Sequence, residues 1–254
     1  MHPIAFHVFG RPIYWYGILV AAGFLAALVH WSRFAARAGQ PSDRGADLAL
    51  WAMVGGMVGA RLFFVLAHLD HYRSHPIEML RIDRGGLVFY GGLIGGVAAV
   101  VLLARRRRTS LWPLGDFAVT ALPLGHAFGR LGCFLNGCCY GHAAPVWAPA
   151  VNLEGALRHP VQLYEAGFNL LLYGGLWALW LRRTRPRPGL TLAVYLAGYG
   201  TGRFFLEFLR GDTPPVAAGL SGAQLLSLAL IAVSPLVLRL ARAQTAQRRS
   251  IASP

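Results

Sequence analysis

Residues 125–141 read GHAFGRLGCFLNGCCYG, which gathers Arg130, Asn136 and all three cysteines of the chain (Cys133, Cys138, Cys139) into one short stretch spaced by five glycines. A guanidinium is a fixed charge with a planar fork that matches a phosphate or carboxylate at two points. The thiols have three possible uses. With His126 and His142 near by they could ligate zinc, although C-x4-C-C is not a usual zinc spacing. Cys133 could pair with Cys138 or Cys139 as a redox site. They could also serve as small, adaptable packing residues. Packing is the preferred reading, and no metal is expected.

Two further arginines lie inside apolar runs: Arg61 in GGMVGARLFF and Arg203 in GYGTGRFFLEF. An arginine at membrane depth costs at least ~2.5–3.5 kcal/mol, so each needs a partner. Glu207 stands four residues after Arg203, one helical turn on and on the same face. An internal salt bridge would explain that pair, a tie between helices would explain Arg61, and snorkelling to the headgroup layer would explain Arg130. With few acids near, the three arginines together ask for an anion from outside the protein. In a membrane that anion is a phospholipid phosphate. Glycines 55, 56, 59, 129, 132, 137 and 141 would let a backbone or a headgroup approach. In HPVQLYE, Gln162, Tyr164 and Glu165 open an apolar segment, and Glu165 requires a cation, for which Arg130 or Arg203 would serve.

The elements that must position these residues are membrane helices. The chain is 56% hydrophobic and 13% charged, against roughly 25% charged residues in soluble domains. Seven spans are expected, near 14–32, 46–67, 85–104, 111–128, 163–181, 190–210 and 220–240. The first, second, third, fifth and seventh are clear. Asp116, Pro113 and Pro123 soften the fourth, and Arg203 and Glu207 interrupt the sixth. All 24 basic residues are arginine. Fifteen fall in the connections at 33–45, 105–110 and 182–189 and in the tail after 238, six on the other side, and three in or at the ends of spans. The positive-inside rule then puts the amino terminus outside and the carboxyl terminus in the cytoplasm. The net charge of +14 is read as topology control and lipid contact, not nucleic-acid binding. Residues 1–243 form one polytopic domain with an outer-face loop at about 129–162, and 244–254 a disordered tail. No cleavable signal peptide is expected at residues 1–13, which lack a basic start.

The ordered set of motifs resembles one family. GRLGCFLNGCCYG is similar to the signature of prolipoprotein diacylglyceryl transferases, G-R-x-G-N-F-x-N-x-E-x-x-G. WYG near the start, GARL, HPVQLYE, GYGTGRFFLEFLR and LSGAQ follow in family order over about residues 10–240. The resemblance implies transfer of a diacylglyceryl group from phosphatidylglycerol to the lipobox cysteine of a preprolipoprotein, with release of glycerol phosphate. It also implies no cofactor, a bacterial inner-membrane location and a monomer. Arg130 matches the phospholipid-binding arginine and Arg203 the essential arginine of the sixth span. Tyr16, Asn136, Gly141, Tyr199 and Glu207 match further family positions, and Arg61 and Gln162 join them as substrate-binding candidates. Three positions depart: Cys133 for Asn, Cys138 for Glu, and Tyr90-Gly91-Gly92 for the family's H-G-G. With that histidine missing, the arginines are expected to carry catalysis and Tyr90 to position. The alternative is a paralogue that binds phospholipid but uses another acceptor or transfers little.

Overall fold

The structure is a computed structural model and describes residues 3–82, 85–145, 147–153, 155–182 and 187–252. Arg84, Arg183 and Arg185, which enter the charge count above, lie outside the described residues, as do the side chains of Arg248 and Arg249. The chain is mostly helical and divides into two compact units, 1–31 with 115–254 and 32–114.

In the larger unit the antiparallel hairpin β1 (Ile4–Val8) and β2 (Arg11–Tyr14) leads into α1 (Trp15–Phe34). After the smaller unit come α5 (Leu111–Asn136), the hairpin β3 (Val151–Leu153) and β4 (Ala156–Arg158), α6 (Val161–Leu181) and α7 (Leu190–Glu207). A short pair, β5 (Pro215–Ala217) and β6 (Leu220–Ser221), precedes α8 (Gly222–Ala252). The helix α8 therefore continues through residues 244–252, the stretch expected to be a disordered tail. The smaller unit holds α2 (Arg44–Ala67), the short α3 (Leu69–Ser74) and α4 (Phe89–Arg106).

Among the described residues five helices are long and apolar enough to cross a membrane: α1, α2, α4, α5 and α8. The fourth expected span, softened by Asp116 and two prolines, is one of them, whereas the fifth, α6, is not. Gln162, Glu165 and Asn169 occupy its first turns and are buried there, which lowers its mean hydropathy. Its 21 residues still rise about 31 Å at ~1.5 Å each, the thickness of a ~30 Å hydrocarbon core.

Polar residues set inside apolar helices tie the larger unit together. Asp116 of α5 accepts from the free amides at the start of α7: Oδ2 from Gly189 N (2.8 Å) and Oδ1 from Leu192 N (2.8 Å). A carboxylate suits the positive end of that helix. His30 of α1 bonds Thr120 Oγ1 of α5 (2.9 Å) and the Tyr173 hydroxyl of α6 (3.1 Å). The start of α8 is a capping box. Ser221 Oγ accepts from Gln224 N (3.3 Å), while Gln224 Oε1 accepts from Ser221 N (2.9 Å).

In the smaller unit α2 and α4 run antiparallel with glycine facing glycine. A Cβ at Gly59 would collide with the Gly91 carbonyl, and one at Gly95 with the Gly55 carbonyl. Such close backbone approach is the usual reason for small residues between membrane helices. Arg107 Nη2 closes the far end on Asp47 Oδ2 at 2.6 Å.

Candidate active site

The end of α5, the start of α6 and the end of α7 bring their charged residues together. Glu165 is the common partner. Arg130 Nε pairs with its Oε2, and Arg203 Nη1 lies 3.2 Å from its Oε1. The same Nη1 is 2.5 Å from Glu207 Oε2, one turn along α7. Glu207 in turn accepts from Ser221 Oγ at 2.6 Å, so the residue that caps α8 also fixes this carboxylate. Arg210 Nε lies 3.8 Å from Glu207 Oε2, and its guanidinium forks onto Asp212, Nε to Oδ1 at 2.8 Å and Nη2 to Oδ2 at 2.7 Å. Burial opposes the charge on Arg210, but the bond to Asp212 outweighs it and holds the guanidinium above its ordinary pKa.

Arg130, Arg203 and Arg210 thus face Glu165, Glu207 and Asp212, so two of the three arginines expected to have few acids near, Arg130 and Arg203, lie beside carboxylates. Glu165, Arg203 and Glu207 are buried at 2%, 9% and 4% exposure. The pairing is close but poorly aligned: Arg130 Nε, Arg203 Nη1, both oxygens of Glu165 and Glu207 Oε2 lack a well-directed hydrogen bond among the described residues. Among the described residues Arg130 spends only Nε on protein, leaving its two terminal nitrogens on a side chain 15% exposed. Charge is balanced here while hydrogen-bonding capacity is left over.

The loop after α5 follows from its cap. Gly137, at φ +73°, is the left-handed residue of a Schellman motif. Its amide bonds Phe134 O (3.2 Å), and Cys138 N bonds Cys133 O (3.2 Å). The turn folds Cys138 back over Cys133, and Gln162 Nε2 of α6 fixes it by donating to Cys138 O at 2.6 Å. Cys139 has φ +67°, which is unusual for a residue with a side chain, and its Sγ is 3.2 Å from that of Cys138. Hydrogen bonds from Cys133, aided by Cys138, Arg210 and Arg130, hold the Cys139 thiol down to about 5, whereas burial pushes Cys138 up. Gly141 then runs between two segments, at His159 and Leu209: its amide bonds His159 O (2.9 Å), and a Cβ there would meet Leu209 O and His159 Cβ, each at 2.7 Å.

Of the residues singled out in the sequence, Arg130, Asn136, Gly141, Gln162, Tyr199, Arg203, Glu207 and Tyr16 all lie in the larger unit. Tyr199 stacks on Tyr195 (5.8 Å between ring centres) and faces His126 (5.4 Å). Tyr16, in the first turn of α1, lies against Gly132 of α5. Arg61 and Tyr90 belong to the smaller unit. Tyr90 is exposed in the first turn of α4 with its ring edge-on to Phe89. Arg61 donates all round to carbonyls: Nε to Met79 (2.9 Å), Nη1 to Gly85 (2.9 Å) and Gly86 (3.1 Å), Nη2 to Glu78 (2.6 Å). With Phe64, Tyr72, Glu78 and Arg81 it lines a cavity of about 200 Å³. Sequence reasoning gave no site role to Arg210 or Ser221, although both fall in quoted motifs, and did not reach Asp212. The S-x-x-Q spacing at Ser221–Gln224 and the adjacent charges of Arg210 and Asp212 were the available signals.

Residues 3–240 match the family model described as prolipoprotein diacylglyceryl transferase. Curated relatives carry the name phosphatidylglycerol–prolipoprotein diacylglyceryl transferase. The protein of Clostridium tetani is 33% identical over 95% of this chain and 98% of its own. That of Geobacillus kaustophilus is 37% identical over 87% and 86%, and that of Synechococcus elongatus 36% identical over 87% and 80%.

Proposed function

We infer what the chain does from the premise that it belongs to the prolipoprotein diacylglyceryl transferase family. It is a multi-pass membrane transferase that moves the diacylglyceryl group of phosphatidylglycerol to a prolipoprotein. The acceptor is the lipobox cysteine of a preprolipoprotein signal peptide. Its sulfur forms a bond to the terminal glyceryl carbon, the bond from that carbon to the phosphate oxygen breaks, and glycerol phosphate leaves with the electron pair. The thiol proton passes to solvent or to the departing glycerol phosphate. No cofactor is called on.

The convergence of Arg130 and Arg203 on Glu165 carries the assignment of roles. Thiolate is a strong nucleophile, so the demanding event is departure of a phosphate from a saturated carbon. Guanidinium charge already in place, in a site poor in water, stabilises the leaving phosphate without reorganising. The terminal nitrogens of Arg130 take phosphate oxygens, and Arg203 is held for the same task by Glu165 and Glu207. Tyr16, Asn136, Gln162, Tyr199 and Gly141 shape the surrounding site. In the smaller unit no carboxylate cancels Arg61 among the described pairings, so it attracts the anionic headgroup while bracing its loop. Tyr90 positions substrate.

Counting α6 and α7 with the five apolar helices gives seven spans, with the amino terminus outside and the carboxyl terminus in the cytoplasm of a bacterial cell. One chain supplies the whole ionic cluster and acts as a monomer. Transfer to a lipobox peptide in nanodiscs containing phosphatidylglycerol tests this, read by mass spectrometry. Arg130→Gln and Arg203→Gln should each abolish most of it. Near-normal transfer by either would overturn the assigned roles.

A further inference from the structure

The three cysteines occupy the end of α5 and the loop behind it, and the mechanism above uses none of them. Their sulfur atoms lie within 4.8 Å of one another, and among the described residues no histidine or carboxylate joins the group. All three thiols are free and partly buried. In a Schellman cap the side chains three residues before and just after the turn usually make an apolar contact. Here Cys133 and Cys138 fill those positions, so the cap brings two thiols together. Cys139 completes the set only because its backbone adopts a left-handed conformation, at φ +67°. Packing alone does not require a residue with a side chain to sit there, and strain of this kind concentrates at sites that use it.

We propose that Cys133, Cys138 and Cys139 form a three-sulfur site for a soft monovalent cation of the copper(I) class. Ligand softness decides the class. Thiolates select copper(I), zinc and iron–sulfur clusters. Zinc held by three protein ligands still needs water or substrate in a fourth position, whereas three thiolates alone complete the trigonal shell of copper(I). A copper(I) ion bound by three thiolates bears a net negative charge, which suits a site next to Arg130 and Arg210. Each protonated thiol that ligates gives its proton to solvent, and no electron is transferred. Gln162 ties the bound loop to α6 one turn before Glu165, so the ion would brace the side of the site from which Arg130 reaches out.

The test is anaerobic titration of the purified, reduced, full-length protein in detergent with copper(I), in competition with a chromophoric chelator, followed by X-ray absorption of the loaded protein. The expected result is one ion per chain with three sulfur neighbours. Changes in the shell around a metal's ligands cost about 10–100-fold in affinity, so Cys133→Ser or Cys139→Ser, each removing a ligand, should weaken binding by at least ~100-fold. The wild-type absorption spectrum decides the matter even if a variant fails to fold. Stoichiometry unchanged in a variant lacking all three thiols, nitrogen or oxygen in the copper shell, or no binding after reduction of a disulfide found among the three would each overturn the proposal.

Discussion

Arg61 in the smaller unit and Arg203 in the larger one, each set in a largely apolar helix, are stabilised in opposite ways. Arg61 gives its hydrogen bonds to four backbone carbonyls, all from residues 78–86, and no carboxylate neutralises it among the described pairings. Arg203 is neutralised by Glu165 and Glu207, yet its Nη1 lacks a directed hydrogen bond. The first arrangement is satisfied in geometry and unbalanced in charge, and the second is the reverse. Carbonyls can release a guanidinium only if the loop unfolds. Carboxylates can share it with an arriving phosphate through small rotations. On the proposed roles, the same residue is a brace in one unit and a catalytic reserve in the other.

If that contrast holds, Arg203→Gln has the largest effect. Loss of one charge-stabilising donor typically costs about 10²–10³-fold in kcat, and initial rates of peptide lipidation at saturating phosphatidylglycerol measure it. Arg203→Lys should recover little: Nη1 alone meets both Glu165 and Glu207, and a lysine spending its one ammonium there has no second nitrogen to offer a phosphate. Next comes Gly59→Ala, whose new methyl group would strike the Gly91 carbonyl. Overpacking of this kind costs about 1–3 kcal/mol, to be read as a lower midpoint of thermal unfolding, with substrate turnover by the surviving protein largely kept. Arg61→Gln should lower stability by about 1–3 kcal/mol through unsatisfied carbonyls and raise KM for phosphatidylglycerol more than it lowers kcat. A fall in kcat as deep as that of Arg203→Gln would erase the distinction between the two units.

The smallest effect concerns Cys139 in metal-free protein. Its thiol is lowered from 9.0 to about 5, so the thiolate persists at neutral pH. Alkylation by iodoacetamide should fall off as pH drops through about 5, and at pH 7 Cys139 should react before Cys138, whose pKa is raised. The sign for folding is the same. The contribution is complete above pH 9, shrinks as pH falls, and is gone below about 5. Peptide mapping of the alkylated sites checks the order.

Much of this was legible along the chain because the informative spacings are local. Arg203 and Glu207 are one helical turn apart, and apolar length alone marks α1, α2 and α4 as spans. Glu165 announced its need for a cation, but not that two arginines would share it, since Arg130 and Arg203 lie far apart in sequence and meet only through packing. Asp116 looked like a blemish on a span and is the cap of another helix. The meeting of the thiols could have been read from Asn136-Gly137, a helix-ending pair, because the cap it forms folds residue 138 onto 133. Arg61 could not. The carbonyls that hold it are common to every residue and leave no trace in composition.

Ser221 does two jobs with one hydroxyl, starting the last helix and steadying Glu207. Anyone shortening, swapping or fusing onto that final segment is therefore editing the proposed reaction centre from behind. A replacement helix matched only for greasiness would anchor well and turn over poorly, until an alcohol was restored at the residue that caps its start.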